Sequence, residues 1–409
     1  MTEWKTYKLS EIATLSTGFP FAGEKYTKEG IRVVRGDNVT IGALRWDYDK
    51  LKCWNEPFAR ADEFSLMSGD IVVGMDGSRV GLNRAQVKET DLPLLLAQRV
   101  ACIRQNEKTT QDFLYYQIFS DRFVKYIKQV QTGTSIPHVS LKQIGDFEIS
   151  LPSLEEQRRI AGILGAIDDK IECNRRINAN LESQAQALYK QWFVDFEFPN
   201  EDGKPYKSSG GKMVDSELGQ IPEGWRVGTL SDLANVTMGQ SPNGKSFNEN
   251  GNGIVFYQGR TEFGVRYPSI RLYTTEPTRY AEPMSVLLSV RAPVGDINIA
   301  TQRCCIGRGV ASIKSKTDDN AYMYCCLKEL RPQLDQYNGE GTVFGSINRK
   351  ELEGLALCIP QYEIISKFND IILGTDKQML NLFQQTQTLA TLRDTLLPKL
   401  MNGEIKITE

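Results

Sequence analysis

Apolar residues recur at steps of four and three along one stretch of the chain: Ile160, Leu164, Ile167, Ile171, Asn174, Asn178, Leu181, Ala185, Leu188 and Trp192. Eight of these ten are apolar, which is the seam of a long helix packed against another helix. Its start is marked by Ser153-Leu154-Glu155-Glu156 after Pro152, a capping box in which side chains satisfy free backbone N–H groups. At 1.5 Å per residue, about forty residues make a rod of roughly 60 Å, longer than an ordinary core helix. The partner lies 208 residues on, at Phe368, Ile372, Thr375, Met379, Leu382, Thr386, Leu389, Arg393, Leu396 and Leu400. Both stretches follow the same kind of phrase, Ile149-Ser150-Leu151-Pro152 and Leu357-Cys358-Ile359-Pro360. The pattern predicts an antiparallel intramolecular coiled coil. Its core comprises Ile160, Leu164, Ile167, Ile171, Leu181 and Leu188 against Phe368, Ile372, Met379, Leu382, Leu389 and Leu396.

The segments before each rod read as mixed α and β structure. Ile31-Arg32-Val33-Val34 and Asp70-Ile71-Val72-Val73 have strand patterns, and Asp112 to about Val130 reads as helix with Phe113, Tyr116, Phe119 and Phe123 as core. The opening phrase from Trp4 to Ala13 returns as Trp225 to Ala234, an offset of 221 that also carries Gly18 onto Gly239. Val80-Gly81 then matches Val294-Gly295 at 214, and Gly133-Thr134 matches Gly341-Thr342 at 208. A shrinking offset with conserved order is the mark of a duplicated unit with loops of different length. The expected fold is therefore α+β and pseudo-twofold. It has a first domain at 1–151, a central spacer helix at 152–197, a linker at 198–224, a second domain at 225–359 and a C-terminal spacer helix at 360–402. The linker assignment rests on Gly, Pro, Ser, Lys and Asp content, including Ser208-Ser209-Gly210-Gly211.

Composition narrows the function classes. The formal charge is −2, with the two globular segments slightly basic and the spacer segments acidic, which leaves room for local basic faces. Eight cysteines without C-x-x-C spacing and a single histidine, His138, argue for buried reduced thiols and against zinc. No apolar run reaches membrane-spanning length, and Met1-Thr2-Glu3-Trp4 lacks the character of a signal peptide, so a cytoplasmic protein is expected.

Two motifs invite enzymatic readings. Gly239-Gln240-Ser241-Pro242-Asn243-Gly244-Lys245-Ser246 matches the phosphate-binding pattern G-x-x-x-x-G-K-[ST], the basis of the alternative reading as a nucleotide-binding enzyme. That pattern works only where the loop leads into a helix, and Phe247-Asn248-Glu249-Asn250-Gly251 is a poor helix start. Asn55-Glu56-Pro57-Phe58 is one residue from the Asn-Pro-Pro-Phe turn of adenine methyltransferases, but no glycine-rich cofactor loop accompanies it. His138, in the loop Gly133-Thr134-Ser135-Ile136-Pro137-His138, is the only imidazole for general-base work. A bivalent reader fits better than an enzyme; a bivalent scaffold for protein or carbohydrate is the remaining rival.

The Gly18 and Gly239 loops and the Gly133-Thr134-Ser135-Ile136-Pro137-His138 loop, together with Leu151-Pro152-Ser153-Leu154-Glu155-Glu156-Gln157-Arg158-Arg159-Ile160-Ala161, make the whole chain resemble the specificity subunit of Type I restriction-modification systems. The second half departs at Pro360-Gln361-Tyr362-Glu363-Ile364-Ile365, which keeps the proline and lacks the Glu-Gln pair. The resemblance implies a non-catalytic, cofactor-free chain whose two target-recognition domains each read half of a divided double-stranded DNA site, with the helices as a ruler. It also implies two modification subunits that use S-adenosylmethionine to methylate adenine, and restriction subunits that use ATP and Mg.

Base readout needs bidentate side chains, Arg or Lys for guanine and Asn or Gln for adenine. Candidates in the first domain are Arg35, Asp37, Asn38, Arg79, Thr134, Ser135 and His138. In the second they are Ser241, Asn243, Lys245, Gln258, Arg260, Arg291, Arg303, Thr342, Ser346 and Asn348. Arg35 and Gln258 occupy similar places, before Gly36 and Gly259. Partner contacts are expected at Arg158, Arg159, Arg175 and Arg176, or at exposed aromatics Trp192, Phe193 and Phe196.

Overall fold

The computed structural model describes residues 4–58, 60–133, 135–339, 345–405 and 407. The chain forms two compact units, Met1–Glu172 with Gln387–Glu409, and Cys173–Thr386. The central helix spans Leu154–Tyr189 and the terminal helix Tyr362–Met401, and each contributes to both units.

Within each unit the two helices run antiparallel. In the first, Asp168 meets Arg393 at 2.8 Å while Ile160 and Leu164 share a core with Leu400 and Met401. In the second, Asn174 Nδ2 donates to Gln385 Oε1 at 2.8 Å and Asn178 Nδ2 to the Met379 carbonyl at 3.3 Å, and Tyr189 packs on Phe368. Of the seam residues, Ile160, Leu164, Ile171, Phe368, Ile372 and Met379 are buried. Ile167, Leu181, Leu188, Leu382, Leu389 and Leu396 are half-buried. Ile160 and Leu164 enter the first unit's core and Phe368, Ile372 and Met379 the second's, whereas Ile171, Leu382 and Leu389 join neither.

The duplication extends to strand order. The first unit has a four-stranded antiparallel sheet in the order Ala13–Thr17, Val100–Gln105, Ile71–Gly74, Arg84–Gln86. The second repeats it as Ala234–Met238, Val310–Ser315, Val286–Ser289, Ile297–Ile299. A second sheet in each, three-stranded in the first unit and five-stranded in the second, holds one parallel pair, Ile31–Val34 with Leu94–Leu96 and Ile254–Tyr257 with Cys304–Ile306. Short antiparallel pairs, Lys5–Lys8 with Glu148–Leu151 and Arg226–Thr229 with Ala356–Ile359, lead into the two long helices.

Each long helix is tied to its unit in its own way. Gln157 is fully buried: its Oε1 accepts from Thr109 Oγ1 and the Thr110 N–H, and its Nε2 donates to the Lys108 and Pro152 carbonyls, all at 3.0–3.1 Å. The equivalent position in the second half is Ile365, which is buried and apolar. There Asn369, one turn on, accepts from the Tyr322 N–H at 3.1 Å and donates to Asp319 at 2.8 Å. The missing Glu-Gln pair is thus replaced by a different polar clamp.

Segment 198–224, expected as a linker, is an ordered part of the second unit. It carries a hairpin of Met213–Ser216 with Gly219–Pro222, and Phe198 stacks between Tyr206 at 4.6 Å and Trp225 at 5.1 Å. Its Gly and Ser content reflects tight turns, while three aromatic anchors supply the core. Trp192 and Phe193, expected as exposed partner contacts, are buried, and Phe196 is half-buried; they pack around Phe368, Tyr322 and Trp225.

Arg266 binds both long helices to the second unit. Its guanidinium, buried over the Tyr324 ring at 4.2 Å, pairs with Glu182 of the central helix and, at 2.7 Å, with Asp376 of the terminal helix. Lys328 holds the other Glu182 oxygen at 2.6 Å. Burial pushes Asp376 above the usual carboxylate range, Arg266 pulling it back and Glu182 pushing it further. Burial alone would lower the Arg266 pKa, but Asp376 and Glu182 outweigh it and hold the guanidinium protonated. In the first unit Asp168, 208 residues before Asp376, accepts from the Tyr116 hydroxyl at 2.8 Å and pairs with Arg393. Removing one partner of a buried ion pair leaves uncompensated charge, so Arg266→Met is expected to cost about 3–5 kcal/mol in urea unfolding. A loss below about 1 kcal/mol would mean the cluster does not tie the helices down.

Candidate nucleic-acid interface

Five segments of the first unit are held side by side by backbone hydrogen bonds. A Cβ on Gly18 would lie 2.1 Å from the Leu96 carbonyl oxygen, so only glycine lets this loop approach, and the Phe19 N–H donates to that oxygen at 2.9 Å. The Ala97 N–H donates to the Val34 carbonyl at 3.0 Å, which sets the 97–99 turn beside Arg35. The Met75 N–H donates to the Arg99 carbonyl and the Val139 N–H to the Met75 carbonyl; Asp76 and His138 pair as an isolated bridge. Backbone groups satisfy one another here, which leaves the side chains free to face a ligand.

The second unit repeats this framework bond for bond. A Cβ on Gly239 would lie 2.2 Å from the Gly307 carbonyl oxygen, and the Gln240 N–H donates to the Ile306 carbonyl at 3.0 Å. The Gly307 N–H donates to Tyr257, the Val290 N–H to Gly309, and the Ile347 N–H to Val290, each to the carbonyl oxygen. Arg291 and Ser346 form the isolated bridge. Equivalent framework positions therefore carry different side chains: Arg35 and Gln258, Asp76 and Arg291, Gln98 and Arg308, His138 and Ser346.

Several sequence candidates sit on this framework. Arg35 lies 5.6 Å from the Tyr26 ring and 3.3 Å from Asp37, which is exposed. Arg79 and Ser135 are exposed, as is His138, whose Nε2 lies 3.0 Å from Thr132 Oγ1. Lys245, Gln258, Arg291 and Ser346 are exposed in the second unit, and half-buried Ser241 accepts from the Arg308 N–H at 3.3 Å. Thr134 and Thr342 lie outside the described residues.

Other candidates are occupied elsewhere. Asn38 is fully buried, accepting from the Arg35 N–H and donating to the Arg45 carbonyl, so it shapes the turn and does not face a ligand. The Asn348 and Asn243 side chains accept the Glu351 and Lys245 N–H groups as helix and turn caps. Arg303 stacks on Tyr280 and pairs with Glu282, at the end of strand Cys304–Ile306 away from Gly307. Arg260 pairs with Asp296 at 2.5 Å beside Gly295, lining a separate cleft with Lys328 and Arg331. Gln98, Arg99 and Arg308 are exposed on the framework and were missed. Aligning Leu96-Ala97 with Ile306-Gly307, at an offset of 210, would have found them.

The Gly239–Ser246 stretch is not a phosphate loop. Its Gly239 and Gln240 N–H groups are spent on the Val310 and Ile306 carbonyls, and the turn Gly244–Ser246 runs into a strand, Phe247–Asn248. Ser246 Oγ, buried, bonds Thr274 Oγ1 at 2.7 Å, away from any metal role. The Asn55–Phe58 turn is a packing element, with the Phe58 ring 4.7 Å from Phe19. Six cysteines are buried, and burial pushes the Cys102 and Cys304 thiols up to about 12, which disfavours thiolate chemistry. Among the described residues no group of His, Cys, Asp and Glu is placed to hold a metal ion, and no helix is long and apolar enough to cross a membrane. Arg158, Arg175 and Arg176 are exposed on the central helix, and Arg159 is half-buried near Glu155.

Two copies of one loop framework, each on its own sheet and sharing one helix pair, define a bivalent recognition protein. The family described as "Type I restriction modification DNA specificity domain" matches residues 1–183 and 222–389, and the chain belongs to that family. A Methanocaldococcus jannaschii protein named "Putative type I restriction enzyme MjaX specificity subunit" is 30% identical over 420 residues, covering 99% of this chain and 94% of its own length. The Haemophilus influenzae HindI specificity subunit is 23% identical over 479 residues, covering 99% and 100%. The fold is shared with a solved S subunit from the Type-I restriction-modification system of M. genitalium, at 17% identity, 99% and 97% coverage and a TM-score of 0.60. The chain is a non-catalytic DNA-recognition subunit.

The loop geometry makes a direct prediction about nucleotides. Calorimetric titration of the isolated chain with ATP should show no binding, and Lys245→Ala should leave the trace unchanged. Substantial binding lost in that variant would restore the phosphate-loop reading.

Proposed function

We propose that this chain selects the sites at which a Type I restriction-modification complex acts, each unit reading one half of a divided duplex target. The observation that carries this reading is the duplicated framework, which presents Arg35 in one unit and Gln258 in the other at the same backbone position. Arg suits the guanine edge and Gln the adenine edge, so one scaffold serves two different half-sites. Asp37, Arg79, Ser135 and His138 would flank Arg35, and Ser241, Lys245, Arg291 and Ser346 would flank Gln258, with Gln98, Arg99 and Arg308 added to these sets.

The partners in this reading are two adenine-modifying subunits that carry S-adenosylmethionine and restriction subunits that use ATP and Mg. Arg158, Arg175 and Arg176, exposed on the central helix, are their candidate contacts. The protein works in the cytoplasm, where its DNA lies. Two modules on one continuous pair of helices reinforce each other only when the gap between half-sites matches their spacing, so helix length becomes part of the specificity.

Selection from a pool of random duplexes, with the modification subunit present, tests this reading. Two conserved blocks with a constant gap are expected. Arg35→Gln should alter the first block alone, weakening the original sequence by about ten- to a hundred-fold. A pool that converges on no sequence, or one block altered equally by changes in either unit, would contradict the reading.

A further inference from the structure

Beyond the framework, the two units also differ at a place where their fold does not require it. Along the outward edge of strand Ala234–Met238 in the second unit runs a cleft of about 570 Å³, lined by Asn235, Thr237, Arg279, Lys316, Arg349 and Glu353 among others. Asn235 and Thr237 are the strand residues that alternate outward, and this strand is the edge of its sheet. Arg279, Lys316 and Arg349 are all exposed. Arg349 pairs with Glu353 at 2.8 Å and Lys316 Nζ donates to the Ser231 carbonyl at 2.6 Å, while Arg279 has no carboxylate partner among the described residues. Three cations against one carboxylate leave the cleft with an excess of positive charge.

Its position is tied to the recognition framework. The Ile306 N–H donates to the Arg279 carbonyl at 2.9 Å, Thr278 Oγ1 donates to the Gln240 carbonyl, and Gln240 in turn donates to Ile306. Arg279 therefore stands where the framework ends and the strand edge begins. At the far end, the Lys316 N–H donates to the Leu233 carbonyl, next to Ala234. Four strand steps of about 3.3 Å separate the ends, roughly 13 Å, the axial length of about four phosphate-to-phosphate steps along one DNA strand.

The first unit serves as an internal control. The bond from Lys316 to Leu233 is matched by one from Asn106 to Ile12, and Leu141 opens the short helix that Arg349 opens in the second unit. The bridge of Ser65 with Leu95 matches the pairing of Tyr280 with Cys305, which places Phe64 where Arg279 stands. All three cations are replaced by uncharged residues on the same fold, so folding does not demand them. Phe64 belongs instead to an aromatic cluster with Phe19 and Phe58.

We propose that the Arg279–Lys316–Arg349 cleft binds the phosphodiester backbone of DNA beside the second half-site, an electrostatic clamp that the first unit lacks. The inference rests on the reading of this chain as a DNA-recognition subunit and adds an asymmetry to it. Phosphate contacts fix register and carry no sequence information, so the clamp sets affinity and salt dependence and leaves the target unchanged.

The test uses the complex with the modification subunit and its preferred duplex, titrated at salt concentrations from 50 to 300 mM. In the triple variant Arg279→Gln, Lys316→Gln, Arg349→Gln, the slope of log affinity against log salt should fall by about two to three, with the preferred sequence retained. An unchanged slope in a complex that still selects its duplex would show a solvated surface and overturn the proposal. A changed sequence preference would make the cleft a base reader, and loss of assembly with the modification subunit would make it a protein interface; either overturns it as well. A wild-type complex that prefers no duplex would fail the underlying reading itself, a result the variant cannot produce.

Discussion

A 36-residue helix with an apolar stripe along one face is stable in water only if another surface covers that stripe, and here the cover is a second helix of 40 residues from the same chain. That one requirement organises the rest. It brings the terminal segment back to the first unit, where Leu400 and Met401 complete a core begun by Leu9 and Ile12. It also passes both helices through the second unit, where the Arg266 cluster and the aromatic group around Phe368 grip them. On the central helix the polar seam residues Asn174 and Asn178 interrupt the apolar stripe, and each leaves its side-chain oxygen without a partner. Buried asparagines of this kind cost stability and favour a single register between helices.

Much of this was legible in the sequence, because helix periodicity and internal repetition are both properties of order along the chain. The heptad seam, the 221-residue offset from Trp4 to Trp225 and the 208-residue offset at the long helices need no contacts to be seen. What escaped notice depends on contacts between distant residues. Nothing local marks Arg266 as the ion that joins Glu182 and Asp376, or Asn369 as the stand-in for Gln157. Composition misled at 198–224, where Phe198 and Tyr206 outweigh the glycines and serines around them. The expectation of exposed aromatics failed at Trp192, whose seam position was the better guide to its burial, and at its neighbour Phe193, which no seam position marked.

The candidate interface shows the same division. Gly18 and Gly239 were visible as paired landmarks, and the structure gives the reason: each lets its loop pass within reach of a carbonyl that a side chain would block. Asn38 and Asn348 looked like base readers because residue type alone does not separate a free amide from one that caps a turn. Arg99 and Arg308 went unnoticed because only the weak repeat at an offset of 210 marks them; their place follows from the bond of the Met75 N–H to the Arg99 carbonyl and of the Arg308 N–H to the Ser241 hydroxyl. A framework built from main-chain hydrogen bonds tolerates substitution at its outward side chains, and this is the physical basis for two units that share a fold and differ in what they present.

The central claim is that one pair of helices, held in a single register, sets the distance between two separately read half-sites. Deleting seven residues from each long helix keeps the apolar faces aligned while shortening the pair by about 10 Å. Mapping methylated adenines in a genome that carries the complete system with this variant should show both half-site sequences retained and the gap between them changed. An unchanged gap with full methylation would contradict the account.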